Sequence, residues 1–313
     1  MLSRESSVNV NVILSADDIG LTASITDGIA ACVQKRTLSS VSLVANGYAF
    51  DYAIRKIHET RPCFVSVHLN TVECPPVADP RDIPDLLDRR GHLHLTFFKT
   101  VVKYVFSARS QRDSLRAQFK TEYRAQINKI QSALGPATPI RVDSHQHLHM
   151  IPFLFDILID LNQEFRFAYV RIPREPFFLS AKLLREWRIY RPSSIIKNLL
   201  LRSLAWRNSK SIKDLGIPHS DLFLGVMFPG RSRPELTEHL LDLILAKSSK
   251  AGACVEILFH PGRASAEEGG FWKRKILTDY YVSQERDRDA VRVVHAKERL
   301  LNRPKLTSMT LRA

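Results

Sequence analysis

Residues 143–149 read Asp143-Ser144-His145-Gln146-His147-Leu148-His149, between the apolar lead Ile140-Arg141-Val142 and the exit Met150-Ile151-Pro152. In an extended segment, alternate side chains share a face. Asp143, His145, His147 and His149 are then expected on one side, and Ser144, Gln146 and Leu148 on the other. Three imidazoles and a carboxylate are costly to bury unpaired. Together they form a ligand set of the kind a divalent metal recruits. The plain alternative is a polar surface strand.

Outward from this stretch, the chain alternates strand and helix patterns. Val8 to Leu14 is a β-branched apolar run that delivers Ser15-Ala16-Asp17-Asp18-Ile19-Gly20. Ser24 is the expected N-cap of a helix reaching about Lys35. Ser40–Val44 and Cys63–Val67 are the next strands, the latter ending at His68-Leu69-Asn70. Residues 72–108 break the rhythm with Pro75, Pro76, Pro80 and Pro84, and are expected to border a groove, His92 and His94 included. A long polar helix over 111–134 closes at Gly135-Pro136. Beyond the opening stretch come a helix from Pro152 and strands at Phe167–Ile172, Ser220–Phe228 and Cys254–Phe259. The last of these delivers His260-Pro261-Gly262. Glu285 to Arg299 reads as helical.

This alternation predicts an α/β fold with mostly parallel strands. Asp17, Asp18, His68, His145 and His260 all fall at the C-terminal ends of predicted strands. In a parallel barrel those ends gather on one face, where active sites form. Five polar landmarks at equivalent places carry more weight than any single motif.

Composition sets the remaining bounds. The 313 residues are 44% hydrophobic and 25% charged, enough for a sizeable core in one domain spanning 1–313. No run of about eighteen apolar residues suggests a transmembrane helix. Met1 to Ser7 is polar, so a cytoplasmic location is expected. Cys32, Cys63, Cys74 and Cys254 are far apart, and no disulfide is expected. The net charge is +14, which favours anionic partners, yet no nucleic-acid motif is present and no nucleic acid is expected. Residues 181–213 hold nine Lys or Arg and one acid, Glu186. They read as an outer helix or helical hairpin with a basic face, or as a site of peripheral contact with an anionic membrane or a lipid-linked substrate.

Adjacent Asp17 and Asp18 point to opposite sides of an extended segment, so distinct roles are expected. Asp18, His68 and His145 would supply one carboxylate and two imidazoles to a metal, leaving room for water and substrate. Asp17 is then placed to act as general base, and His260 to give a proton to the leaving amine. Arg171 and Arg174 are candidates to hold the substrate, or to form ion pairs with a neighbour such as Glu175. No phosphate loop, GxSxG elbow or HExxH motif is present.

Four short motifs carry a resemblance. Ala16-Asp17-Asp18-Ile19-Gly20, Val67-His68-Leu69-Asn70, Asp143 to His149, and Phe259-His260-Pro261-Gly262 resemble, in order and spacing, the YdjC-like carbohydrate deacetylases. These include chitooligosaccharide deacetylase and a hopanoid-cluster relative. The motifs span about residues 8–263. The resemblance implies a distorted TIM-like (β/α) barrel that removes an acetyl group from an N-acetylated sugar, and a homodimer. It implies one divalent metal ion, magnesium, zinc or manganese, held by Asp18, His68 and His145. Asp17 corresponds to the catalytic base, and His260 to the acid or a substrate-positioning group. Asp143, His147 and His149 become neighbours of the ligands or of the substrate. Ile19 stands where the family has an aromatic residue, and Ser66 and Val67 where it has glycine. These differences bear on pocket shape more than on ligand chemistry. The competing readings are another metal-dependent ester or amide hydrolase on the same barrel, and a non-catalytic basic barrel that binds membrane or polyanion.

Overall fold

The computed structural model describes residues 10–185, 190–228, 233–248, 252–272, 274–302 and 307–308. Glu186 and the start of the first predicted strand, at Val8, lie outside these. The elements are β1 (Asn11–Ile19), α1 (Ala23–Gln34), β2 (Ser40–Leu43), α2 (Phe50–Thr60), β3 (Phe64–Leu69), α3 (Phe97–Val105), α4 (Arg109–Leu134), β4 (Arg141–Ser144), α5 (Pro152–Phe165) and β5 (Tyr169–Val170). They continue as α6 (Ala181–Arg185), α7 (Pro192–Asp214), β6 (Leu222–Leu224), α8 (Pro234–Lys247), β7 (Cys254–Phe259), α9 (Lys275–Tyr281), α10 (Gln284–Leu301) and β8 (Thr307–Ser308).

The sheet runs β5-β4-β3-β2-β1-β7-β6, all parallel, with β8 against the start of β1. Its two ends meet at a parallel bridge between Val170 and His219. There Val170 N–H donates to Pro218 O at 2.9 Å, and Ser220 Oγ accepts from Ile172 N–H at 2.9 Å. The sheet therefore curls into a TIM-like α/β barrel. The helices cover its outer face, and the apolar core lies between them and the strands, with Leu14, Val41, Val142 and Phe259 among its fully buried members.

The lumen is polar. One guanidinium, Arg171 just past β5, donates to Asp17 of β1 (2.8 and 2.9 Å) and to Glu256 of β7 (2.8 Å). It also lies 3.1 Å from Asp143 of β4 and 3.4 Å from Ser42 of β2. Only a group inside the curl can reach four strands. Register does the rest: His68 pairs with Asp143 across β3 and β4, which puts both side chains on the lumen face.

Several boundaries differ from the sequence reading. Thr22, not Ser24, caps α1, accepting from Ile25 N–H at 3.3 Å, while Ser24 N–H is taken by Glu268. Strand β5 shortens to two residues, because the chain beyond Val170 turns to meet Pro218 and Ser220. The proline-rich stretch holds two short helical turns and α3. His92 and His94 border a recess of about 270 Å³ beside Glu73 and Cys74.

The largest correction concerns the opening motif. Strand β4 stops at Ser144, and His145–Met150 coils into a tight turn. Gln146 and His147 adopt φ of 56° and 60°, in the left-handed region. Ser144 Oγ accepts the His149 N–H at 2.9 Å and holds the turn closed. Leu148 and Met150 anchor it in the core. The four polar side chains therefore do not share one strand face.

Candidate active site and metal centre

Asp18 departs from the strand that carries it. Its φ is 79°, and β1 shifts register against β2 between Ala16 and Ile19. Such a bulge re-aims one side chain. Asp17 and Asp18 consequently approach the same imidazole instead of opposite faces. Asp17 Oδ2 lies 3.9 Å from His68 Nδ1, and Asp18 Oδ1 lies 3.8 Å from His68 Nε2.

His145, first residue of the turn, completes a triangle. Its Nδ1 is 3.3 Å from Asp18 Oδ1 and 3.4 Å from His68 Nε2. Ligands about 2.0–2.2 Å from a zinc-sized ion sit roughly 3.3–3.6 Å apart at neighbouring tetrahedral corners. The donor atoms also suit a cation. His68 Nδ1 donates to Asp143 Oδ1 at 2.5 Å, which turns Nε2 to the centre. His145 Nε2 faces Tyr281 Oη at 3.2 Å and Glu73 Oε1 at 3.4 Å, which turns Nδ1 to the centre. Tyr281 Oη in turn donates to Glu73 Oε1 at 2.5 Å. Partners of this kind orient metal-binding imidazoles. Asp18 Oδ1 is buried and makes no hydrogen bond, an arrangement a cation would relieve.

The local field points the same way. Burial alone would lower the His68 pKa, but the Asp17, Asp143 and Asp18 carboxylates push it up to about 9. Burial would raise Asp18, but His145 and Arg286 hold it well below the usual carboxylate range. The centre thus stabilises positive charge, and a proton on His68 stands in for one.

A cleft of about 700 Å³ opens over this centre, lined by Asp17, His145, His147, Lys197, Val226 and His260 among others. Asp18 and His68 are buried behind it. His260 follows β7, and its backbone N–H is held by Asp289 of α10 at 2.9 Å. Burial lowers its pKa, so its ring is neutral near pH 7. His147 is buried with its edge against Phe223, at 5.5 Å between ring centres. His149 lies away from the cleft, bridging Ser144 Oγ (2.6 Å) and Arg171 O (2.8 Å), and burial pulls its pKa down to about 4. Arg171 is fully buried among acidic side chains. Arg174 donates to Ser209 of α7 at 2.6 Å. Glu175, the suggested ion-pair partner, instead accepts backbone N–H groups of Val226 (2.5 Å), Met227 (3.1 Å) and Gly225 (3.2 Å).

Five residues around this site carry no motif signal: Ser42, Glu73, Glu256, Tyr281 and Arg286. Arg286 sits in the charged run Glu285-Arg286-Asp287-Arg288-Asp289, which reads as a solvated helix. Glu73 lies in the proline-rich excursion. Glu256 alone left a clue, as a charge inside the apolar run Cys254–Phe259.

The model of the YdjC-like protein family matches residues 11–301. The chain belongs to this family. The match includes the segment beyond residue 263 that the four motifs leave uncovered, in line with the part Tyr281, Arg286 and Asp289 play in the site. Among the relatives, a carbohydrate deacetylase of Danio rerio is 25% identical over 282 residues, covering 83% of this chain and 84% of that protein. One from Oceanobacillus iheyensis is 29% identical over 156 residues, 50% of this chain and 62% of that protein. A solved structure from Enterococcus faecalis V583, provisionally described as a cellobiose-phosphate cleavage protein, aligns with a TM-score of 0.64 at 18% identity. It covers 93% of this chain and 95% of its own, and it speaks for the fold alone.

Proposed function

We propose that this YdjC-like chain is a metal-dependent hydrolase that removes the acetyl group from an N-acetylated sugar. The observation that carries this reading is the triangle of Asp18, His68 and His145 donor atoms, with the Asp18 oxygen unpartnered, behind a cleft wide enough for a sugar. The deacetylase names of the relatives supply the substrate class. Asp18, His68 and His145 hold one divalent ion; zinc, magnesium and manganese all fit the donor set. Bound there, such an ion makes water more acidic and polarises the acetyl carbonyl.

The remaining steps belong to side chains. Asp17 lines the cleft, and Arg171 fixes both its oxygens. This holds the carboxylate where it can take a proton from the attacking water. His260 lines the same cleft and is neutral near pH 7, so the proton it gives to the departing amine is one it first receives, the proton that Asp17 takes from the water. His147 and Val226 form part of the cleft wall beside these groups.

The test is acetate release from a panel of N-acetylated sugars, free and lipid-linked, after chelation and after return of zinc, magnesium or manganese. Activity should vanish on chelation and return with one of the ions, and His145→Ala should abolish it. Protein that binds no divalent ion, with acetate release unmoved by His145→Ala, would overturn the reading.

A further inference from the structure

We propose that the outward face of α7 is a docking surface for an anionic membrane. Helix α7 buries one side only. Asn198, Leu201, Ala205, Asn208, Ser209 and Ile212 face the barrel, and Asn208 Nδ2 donates to Met150 O at 3.0 Å, fixing the helix to the turn that carries His145. On the opposite side, Ile196 is 58% exposed, Leu199 53% and Trp206 82%. At 100° per residue these three fall within one third of the helix circumference. Arg202, Arg207, Lys210 and Lys213 are exposed on the same side. Among the described residues, none of these four cations has an ion-pair partner.

This composition favours one kind of partner. Exposed Trp and Leu interleaved with Lys and Arg match a helix lying in the headgroup layer, with apolar groups dipping toward the acyl boundary and cations meeting lipid phosphates. A second copy of the chain would bring two such basic faces together, in a protein of net charge +14, and like charges would oppose the contact. A nucleic acid backbone would satisfy the cations but leave Leu199 and Ile196 against phosphate. The helix does not insert across a bilayer: no helix among the described residues is long and apolar enough to do so.

The docking also orients the cleft. Arg191, at the start of α7, and Lys197, one turn in, both line it. A membrane held along α7 would therefore lie beside the cleft mouth and could present a sugar carried on a lipid. Only that consequence rests on the deacetylase reading.

The test is co-sedimentation of the full chain with phosphatidylcholine vesicles, with and without about 30% phosphatidylglycerol. Binding is expected only to the anionic vesicles, and is expected to fall as salt rises. Arg202→Gln and Lys210→Gln should each weaken it about fivefold at low salt. The pair Leu199→Ser and Trp206→Ser should weaken it at least as much, at unchanged salt sensitivity. All four positions are exposed and lie outside the catalytic machinery, so circular dichroism and acetate release from a free sugar should not move. No binding to anionic vesicles at low salt would overturn the proposal. So would binding that ignores all four substitutions, loss of self-association on Trp206→Ser without vesicle binding, or retention by duplex DNA alone. Because free-sugar activity is read separately, failure of docking and failure of the deacetylase reading remain distinguishable.

Discussion

Arg286 donates to Asp18 Oδ2 at 2.9 Å, joining residues 268 positions apart. Its Nε also donates to Gly262 O at 2.6 Å, so one side chain ties α10 to β1 and to the loop of His260. Arg286→Met should leave a buried carboxylate without its cation, at a cost of about 3–5 kcal/mol. Because a divalent ion supplies the missing charge, zinc or manganese should recover part of that loss. The check is the thermal midpoint of the variant in chelator and in metal. Equal midpoints in wild type and variant under chelation would contradict it.

The raised pKa of His68 makes metal binding a proton exchange. In the metal-free protein the folded-state value of about 9 lies above the ordinary 6.5. The imidazolium therefore stabilises the fold below about pH 6.5, and that contribution is lost as pH rises through about 9. A metal must displace this proton. Affinity should tighten about tenfold per pH unit below 9 and then level off. Calorimetry in buffers of different ionisation enthalpy should count about one proton released per ion at pH 7. A count of zero would mean that His68 is neutral or is not a ligand.

Asp143→Asn keeps the shape of its site but removes the charge that orients His68. The Asn amide can turn its N–H₂ toward Nδ1, and the ring proton then sits on Nε2, the nitrogen that faces Asp18. Metal affinity is expected to fall about 10–100-fold, measured by competition with a chelating dye, with far-UV circular dichroism unchanged. Ser42→Ala, which removes the 2.6 Å hydrogen bond to Asp143 and a long 3.4 Å contact with Arg171 but leaves the Asp143 charge, should cost much less.

Gly28→Ala reaches the site through the backbone. A Cβ at Gly28 would meet Gly262 Cα at 2.3 Å, so α1 or the His260-Pro261-Gly262 loop must move. Overpacking of this kind costs about 1–3 kcal/mol. The urea midpoint should drop, and kcat should fall more than KM rises, because His260 shifts with the loop. Unchanged kcat would show that the loop absorbs the clash without moving its histidine.

The barrel and its strand-end residues were legible because apolar runs and the polar residues after them follow from local chemistry. His68, His145, Asp18 and His260 all stood in such places. What stayed hidden depended on backbone choices that single residues do not announce. Nothing in Asp18 states that it takes a positive φ, and nothing in Gln146-His147 states that the strand ends two residues earlier. Non-local partners were hidden too. Arg286 and Tyr281 act on residues far away in sequence, and a charged helix reads the same whether its arginine meets water or a buried aspartate.

The Arg171 hub has an evolutionary consequence. Its planar fork meets Asp17 and Glu256 and lies beside Asp143, and lysine cannot reproduce that geometry. Losing the arginine first leaves three carboxylates facing one another in a buried lumen. Losing a carboxylate first leaves the guanidinium under-neutralised. Neither order passes through a well-tempered intermediate, so the route to an aliphatic lumen runs through simultaneous exchanges. A mutational library should recover functional replacements of Arg171 only as coupled sets, and descendants of this barrel are held to the same central charge arrangement even while their clefts diverge.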